Sequence, residues 1–197
     1  MSKGEETKAK ILQQAAELFN QQGYAGSSIS DIMRVTGLQK GGIYNHFSSK
    51  DELALQAFDY AIAQIKKLYT DAWRSKRHAI ERLQAIMGVF HRYINHSPIK
   101  GGCPLLNTAI ESDDTHPALR ERTQKAMNSW RELICLIIEK GIERGEIRPT
   151  VNADEFATIM IAILEGAVMM SKLYGDAIHL DRAINHLNNY MESQLRM

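Results

Sequence analysis

Residues 27–50 read SSISDIMRVTGLQKGGIYNHFSSK, two short helical patterns that hinge at Gly37. Ser28 is placed to cap the first by accepting a hydrogen bond from an early backbone N–H, with Asp31 three residues on as its capping-box partner. The second, predicted over Gln39 to Phe47, sets Ile43 and Phe47 at i and i+4 on an inner face and turns Lys40, Tyr44 and Asn45 mostly outward. Gly41 and Gly42 near its start cost about 1 kcal/mol each in helix propensity. That loss is explained if the backbone must approach a phosphate or base closely; a frayed turn is the plainer alternative. A short rod with an apolar underside, a lean tip and a polar outer face suits the major groove of DNA.

On that reading each polar residue has a task. Lys40 can donate to guanine edges or to phosphate, Tyr44 can touch a thymine methyl or a phosphate, and Asn45 can pair with adenine. Ser27, Ser28 and Lys50 are expected on phosphates, the serines through their hydroxyls and the N–H groups that open the second helix, Lys50 from the positive end of the fourth. Ser28 is equally a cap, and Gln39 either reaches a base or starts its helix. His46 is a phosphate donor or a structural hydrogen-bonder between helices.

Outward from this stretch, apolar residues recur at helical spacing nearly everywhere and strict alternation is missing, so the fold class is all-α. The first helix is predicted from about Glu6 to Gln22, with Ile11, Leu12, Ala15, Ala16, Leu18 and Phe19 as its stripe and Gly23 as a left-handed stop. Ser49 and Glu52 form a second S-x-x-E box, opening a long helix towards Trp73. Further helices are expected near 77–96, 104–112, 117–144, 153–174 and 181–195, punctuated by Pro98, Pro117, Gly145, Pro149 and Gly175. The organisation that results is a helix-turn-helix head over residues 1–50 and a helical body over 51–197, about nine helices in all.

Charge supplies no global field: 24 basic against 23 acidic side chains leave a net +1 over 197 residues. Any affinity for DNA is therefore local, and residues 21–50 carry Arg34, Lys40 and Lys50 against Asp31 alone. Cys103 and Cys135 are too few for a disulfide framework and lack zinc-type spacing, which suits a reducing, cytoplasmic interior. The N-terminus has no apolar signal core, and no window approaches the roughly 18 apolar residues of a spanning helix, so no membrane partner is expected. Seven histidines form no H-E-x-x-H or Glu-x-x-His pairing, and neither a nucleophile elbow nor a phosphate loop is found. No catalytic residue, metal or cofactor is expected. A helical-bundle enzyme and a DNA-independent adaptor are the readings from other classes; the second would fail to bind duplex DNA with salt dependence.

The order of a helix, a Gly-Tyr turn, a capped helix, a Gly-Leu turn, K-G-G-I-Y-N-H-F and S-S-K-D-E-L closely resembles the tetracycline-repressor (TetR) family of bacterial transcription regulators across roughly residues 6–55. The resemblance implies a three-helix DNA-binding head on a ligand-binding, dimerising body, one that usually represses nearby genes until a small-molecule effector releases the double-stranded DNA operator. Residues 56–197 fit such a body in helix count and length. The segment G-G-C-P-L-L-N is similar to a G-C-x-x-x-N element that starts a short body helix in some members.

A head this small engages few phosphates, so tight selective binding calls for two heads on a two-fold-related site and hence a homodimer. The last long helices are more apolar than one packing face requires. Ile159, Ile163, Gly166, Met170, Leu187 and Met191 are the candidate interface, with a wholly intrachain core as the alternative. An effector cavity is expected among Met87, Phe90, Tyr93, Cys103, Leu105, Asn107, Met127, Trp130, Met160 and Met169, each of which also reads as core. Pro104 at a first helical position would put the Cys103 thiol at a helix N-terminus, where it either senses electrophiles or lines the pocket as a small residue. The long fourth helix is the expected lever between effector and head. Effector identity, operator sequence, and repression against activation are not written in the residues.

Overall fold

The computed structural model describes residues 2–95 and 97–197, the side chains of 92–95 excepted. Among the described residues the architecture is all-α: α1 Lys3–Gln22, α2 Ile29–Thr36, α3 Lys40–Tyr44, α4 Lys50–Arg74, α5 Ala79–Asn95, α6 Pro104–Ser112, α7 Pro117–Glu143, α8 Ala153–Tyr174 and α9 Ile178–Tyr190, then a π-helical turn at Met191–Leu195. α6 begins at Pro104 and α8 ends at the residue before Gly175, as the sequence predicts. Asn152 caps α8 by accepting the Asp154 and Glu155 amides at 3.1 Å.

Other helix ends depart from expectation for local reasons. α1 begins at Lys3 because Ser2 and Glu5 form a full capping box. Gly23 stops α1, as expected, with a positive φ of 78°, but its ψ of 160° is not that of the left-handed helix. α3 is shorter than predicted: the Asn45 amide still bonds the Gly41 carbonyl four residues back at 2.9 Å, but the His46 amide bonds the Ile43 carbonyl only three back at 3.0 Å, which tightens the last turn and ends the helix. At the start of α4 the Ser49 hydroxyl accepts the Glu52 amide at 3.0 Å, as the S-x-x-E spacing predicts. The Glu52 carboxylate, however, takes the N–H and hydroxyl of Ser48, at 2.6 and 2.5 Å, so the reciprocal half of the box is shifted by one residue. α9 starts at Ile178, three residues early, where the Asp176 carboxylate accepts the Ile178 amide.

The chain forms two compact units, Met1–Ile65 with Pro98–Lys125, and Lys66–Ser97 with Ala126–Met197. Helix α6 belongs to the same unit as α1 to α3. In the first unit Ile11, Ala15, Leu18, Ile32, Ile43, Phe47, Leu53 and Ile99 make one apolar core. In the second, α8 packs on α5 and α9, burying Phe156, Met160, Leu164, Val168, Leu187 and Met191.

One expectation about the membrane is corrected. α8 is long and apolar enough to span a bilayer by length and composition, with a mean hydropathy of 1.7 over 18 residues, half of that window being buried in the protein. Its excess apolarity comes from having two greasy faces, one against α5 and α9 and one exposed.

Candidate nucleic-acid interface

The head's second helix is set by its cap. The Ser28 hydroxyl accepts the Asp31 amide at 3.1 Å and donates to the Asp31 carboxylate at 2.6 Å, while the Ser28 amide donates to that carboxylate at 3.0 Å. These bonds from Ser28, with Arg34 at 3.1 Å, hold the Asp31 carboxyl down at about 2. α2 then stops at Gly37, whose φ of 68° is left-handed helical and favours a residue without Cβ.

That hinge presents α3. Ile43 and Phe47 are 1 % and 2 % exposed, so the underside is locked into the core as the i, i+4 spacing predicts. Gln39, Lys40, Gly41 and Asn45 are exposed, and Gly42, Tyr44 and His46 are half-buried. The Lys40 ammonium lies 5.8 Å from the centre of the Tyr44 ring, a cation–π contact that draws the two side chains together. A Cβ built on Gly41 would meet nothing within 4 Å, and on Gly42 only Leu38 at 3.6 Å. Among the described residues nothing requires glycine at Gly41. This is the arrangement expected where an outside surface comes close.

Phosphate-contact expectations fare unevenly. Ser27 is corrected: it is 1 % exposed, and its hydroxyl donates inward to the Gly23 carbonyl at 2.6 Å, closing the α1–α2 turn instead of facing out. Ser28 makes the cap described above. Lys50 is partly committed, donating to the Tyr24 carbonyl at 2.6 Å with its ammonium 4.1 Å from the Tyr24 ring centre. The His46 ring stands 6.4 Å from that of Phe47.

Sequence reasoning missed the residues that fix the turn before α2. Glu111 of α6 accepts the Tyr24 and Ala25 amides, each at 2.9 Å, and the Tyr24 hydroxyl donates to Asp51. Burial and then Asp51 push the Tyr24 phenol up to about 12. Only the Gly-Tyr dipeptide hinted at this cluster.

The expected effector pocket is divided. Cys103, Leu105 and Asn107 belong to the first unit, where Cys103 and Leu105 are buried. Asn107 is corrected from pocket donor to structural clasp, its side-chain amide being bonded to Asn20 and Gly101. In the second unit Met87, Phe90, Trp130 and Met160 are buried and Met127 is half-buried. Met169 is corrected: it is 51 % exposed on α8, not buried as a pocket wall would be. The Tyr93 side chain lies outside the described residues. A cavity of about 30 Å³ in the first unit is lined by Phe19, Tyr24, Ala57, Phe58, Thr108 and Glu111 among others, by none of the residues expected. It has room for water but not for a drug-sized ligand.

Of the candidate interface residues, Ile159 and Met170 are exposed and Ile163 and Gly166 half-exposed. They follow one another at four, three and four residues, one stripe along α8 that continues to Leu173 and Tyr174, both largely exposed. Leu187 and Met191 are corrected: they are buried in the second unit's own core. Among the described residues no three His, Cys, Asp or Glu side chains gather where they could hold a metal ion.

A capped helix, a glycine hinge and a second helix locked by its underside define a helix-turn-helix protein. Residues 11–57 match the bacterial regulatory proteins of the tetR family, and residues 79–187 the tetracyclin repressor-like C-terminal domain. A TetR transcriptional regulator from Chloroflexus aurantiacus J-10-FL is 49 % identical and superimposes with a TM-score of 0.97 over 100 % of both chains. A second TetR-family regulator, from Cytophaga hutchinsonii, is 35 % identical with a TM-score of 0.89, over 99 % of this chain and 98 % of that one. The transcriptional repressor DhaR of Mycobacterium sp. strain GP1 is 23 % identical over 87 % of this chain and 85 % of its own. The chain belongs to the tetR family of transcriptional regulators.

Proposed function

We propose that this regulator binds a palindromic operator as a homodimer in the cytoplasm, represses the adjacent genes, and is released by a small-molecule effector. The observation that carries the DNA reading is the asymmetry of α3, whose underside is buried while Lys40, Gly41 and Asn45 stand outside without any intrachain packing need for glycine at Gly41. Lys40, Tyr44 and Asn45 read base edges, Gln39 borders them, and the two glycines let the backbone come close. His46 and the remaining N–H bonds of Lys50 hold phosphates. Dimerisation rests on the apolar stripe of α8, where Gly166, with nothing within 4 Å of an added Cβ, leaves room for a partner helix. Repression is favoured by the two repressors among the relatives. We place the effector in the body and assign α4, which runs unbroken from Lys50 to Arg74, as the lever.

Selection of duplex fragments from a random pool at fixed salt tests this. The expected product is a palindrome with half-sites about 34 Å apart or slightly more. A pool with no enrichment over bulk competitor overturns the proposal.

A further inference from the structure

Several groups expected on phosphates are spent inside the head. The Ser27 hydroxyl donates to the Gly23 carbonyl, that of Ser28 to the Asp31 carboxylate, and the Lys50 ammonium to the Tyr24 carbonyl. Arg34 is paired with Asp31 at 3.1 Å. A further cation nevertheless reaches the end of the reading helix, from a segment well outside residues 27–50. Lys8 lies on α1 three and four residues before Ile11 and Leu12, so it shares the inward side of that helix one turn ahead of the core. Its ammonium stands 5.3 Å from the centre of the Phe47 ring, the same buried ring that His46 borders at 6.4 Å. Lys8 is half-buried, as a side chain is whose stem packs on apolar surface while its charged end stays in water. The carboxylate whose charge it feels is already engaged. Glu52 accepts the Ser48 amide and hydroxyl at 2.6 and 2.5 Å and the Gln56 side-chain amide at 2.8 Å. The Ser48 bonds, and then the charge of Lys8, hold the Glu52 carboxyl below its ordinary value.

A helix seated in the major groove leaves it across a sugar-phosphate backbone, so a cation beside the end of α3 meets phosphate and not a base edge. We propose that Lys8 of α1 binds a DNA phosphate at the end of α3, fixing the register of the reading helix without choosing sequence. The contact comes from outside the helix-turn-helix pair and ties α1, which carries much of the head's core, directly to the duplex. A Lys8 with a structural role alone would act only as a cationic cover on the Phe47 ring. The proposal rests on the operator binding proposed above and adds a positioning residue to it.

Salt titration of full-length protein tests it. Lys8→Met keeps an unbranched stem over Phe47 and removes the charge. Lys10→Met removes the same charge from an exposed residue about 200° around α1, and Lys8→Arg keeps the charge in place. Affinity for the selected operator and for a scrambled duplex is measured between about 50 and 200 mM salt. In Lys8→Met the fall of log affinity with log salt is expected to be shallower than in wild type by about 0.9 per head, hence about 1.8 for a dimer on a palindrome. Both duplexes are weakened by the same factor, so discrimination is kept. Lys10→Met and Lys8→Arg hold the wild-type slope. A wild-type slope in Lys8→Met, an equal flattening in Lys10→Met, or a loss confined to the operator overturns the assignment. Thermal melts accompany each variant, and Lys8→Gln supplies the same reading should Lys8→Met not fold. Wild type that binds neither duplex overturns the operator reading itself, whereas wild-type binding with an unaltered Lys8→Met slope overturns this contact alone.

Discussion

The side-chain amide of Asn107 donates to both oxygens of Asn20, at 3.0 Å to the main-chain carbonyl and 2.8 Å to the side chain, and to the Gly101 carbonyl at 2.9 Å. Asn20 answers by donating to the Lys100 and Gly102 carbonyls at 2.9 and 3.0 Å. The loop before α6 is thereby wrapped on the last turn of α1. Gly101 comes so near, at a φ of 112°, that a Cβ there would fall 2.7 Å from the Asn20 carbonyl oxygen. Asn107→Ala should remove these three part-buried bonds and destabilise the protein by about 1–3 kcal/mol. Urea unfolding checks this; an unchanged midpoint would show the clasp to be idle.

Gly41→Ala should separate stability from function. No positive φ and no steric contact at Gly41 opposes a methyl group, so helix propensity predicts a gain of up to about 1 kcal/mol. Operator affinity should fall, because the methyl enters the space reserved for DNA. Thermal melts and gel-shift titrations on one preparation read both effects, and equal or tighter operator binding would count against close backbone approach.

Loss of the α2 cap should depend on pH in a defined direction. Ser28→Ala should cost about 1 kcal/mol at neutral pH as a missing N-cap. The Asp31 carboxyl, depressed to about 2 chiefly by the Ser28 hydroxyl and amide, stabilises the fold fully above the ordinary carboxylate value near 4. That contribution is lost as pH falls through about 2. The gap between wild type and Ser28→Ala should therefore narrow on acidification from pH 5 to pH 2, as followed by denaturant melts; a gap that widens contradicts the linkage.

On α8, Ile159→Glu with Met170→Glu places charges at two exposed positions, 46 % and 39 % open, so folding should be retained. Sedimentation at micromolar concentration should shift from dimer to monomer, and operator affinity should drop by about a hundredfold or more as one head is lost. A dimer that persists would place the interface elsewhere.

Much of this was legible in local spacing. The Ser28 box, the Gly37 hinge, the buried pair Ile43 and Phe47, and the ends of α6 and α8 depend on residues within a turn or two of each other, which sequence periodicity records. Glu111 binding the amides of Tyr24 and Ala25 is a contact across 86 residues or more, and nothing in either segment announces it. Ser27 was misread because a serine beside a cap looks like a second outward hydroxyl until the turn's path buries it. Met169 and Leu187 were misplaced for a related reason: α8 is apolar on two faces, and α9 turns Leu187 inward, so hydropathy alone does not say which face meets its own chain. The G-G-C-P-L-L-N element carried a visible signal, and in the structure its Gly101 and Asn107 form the clasp on Asn20.

The most direct measurement is a gel-shift titration of wild type and of Lys40→Ala with Asn45→Ala, on the selected operator and on a scrambled duplex at the same salt. Wild type should prefer the operator, and the double variant should lose about 10- to 100-fold of that preference while keeping its helicity and its nonspecific affinity. Undiminished discrimination by the double variant would contradict the assignment of the outer face of α3 as the surface that reads DNA.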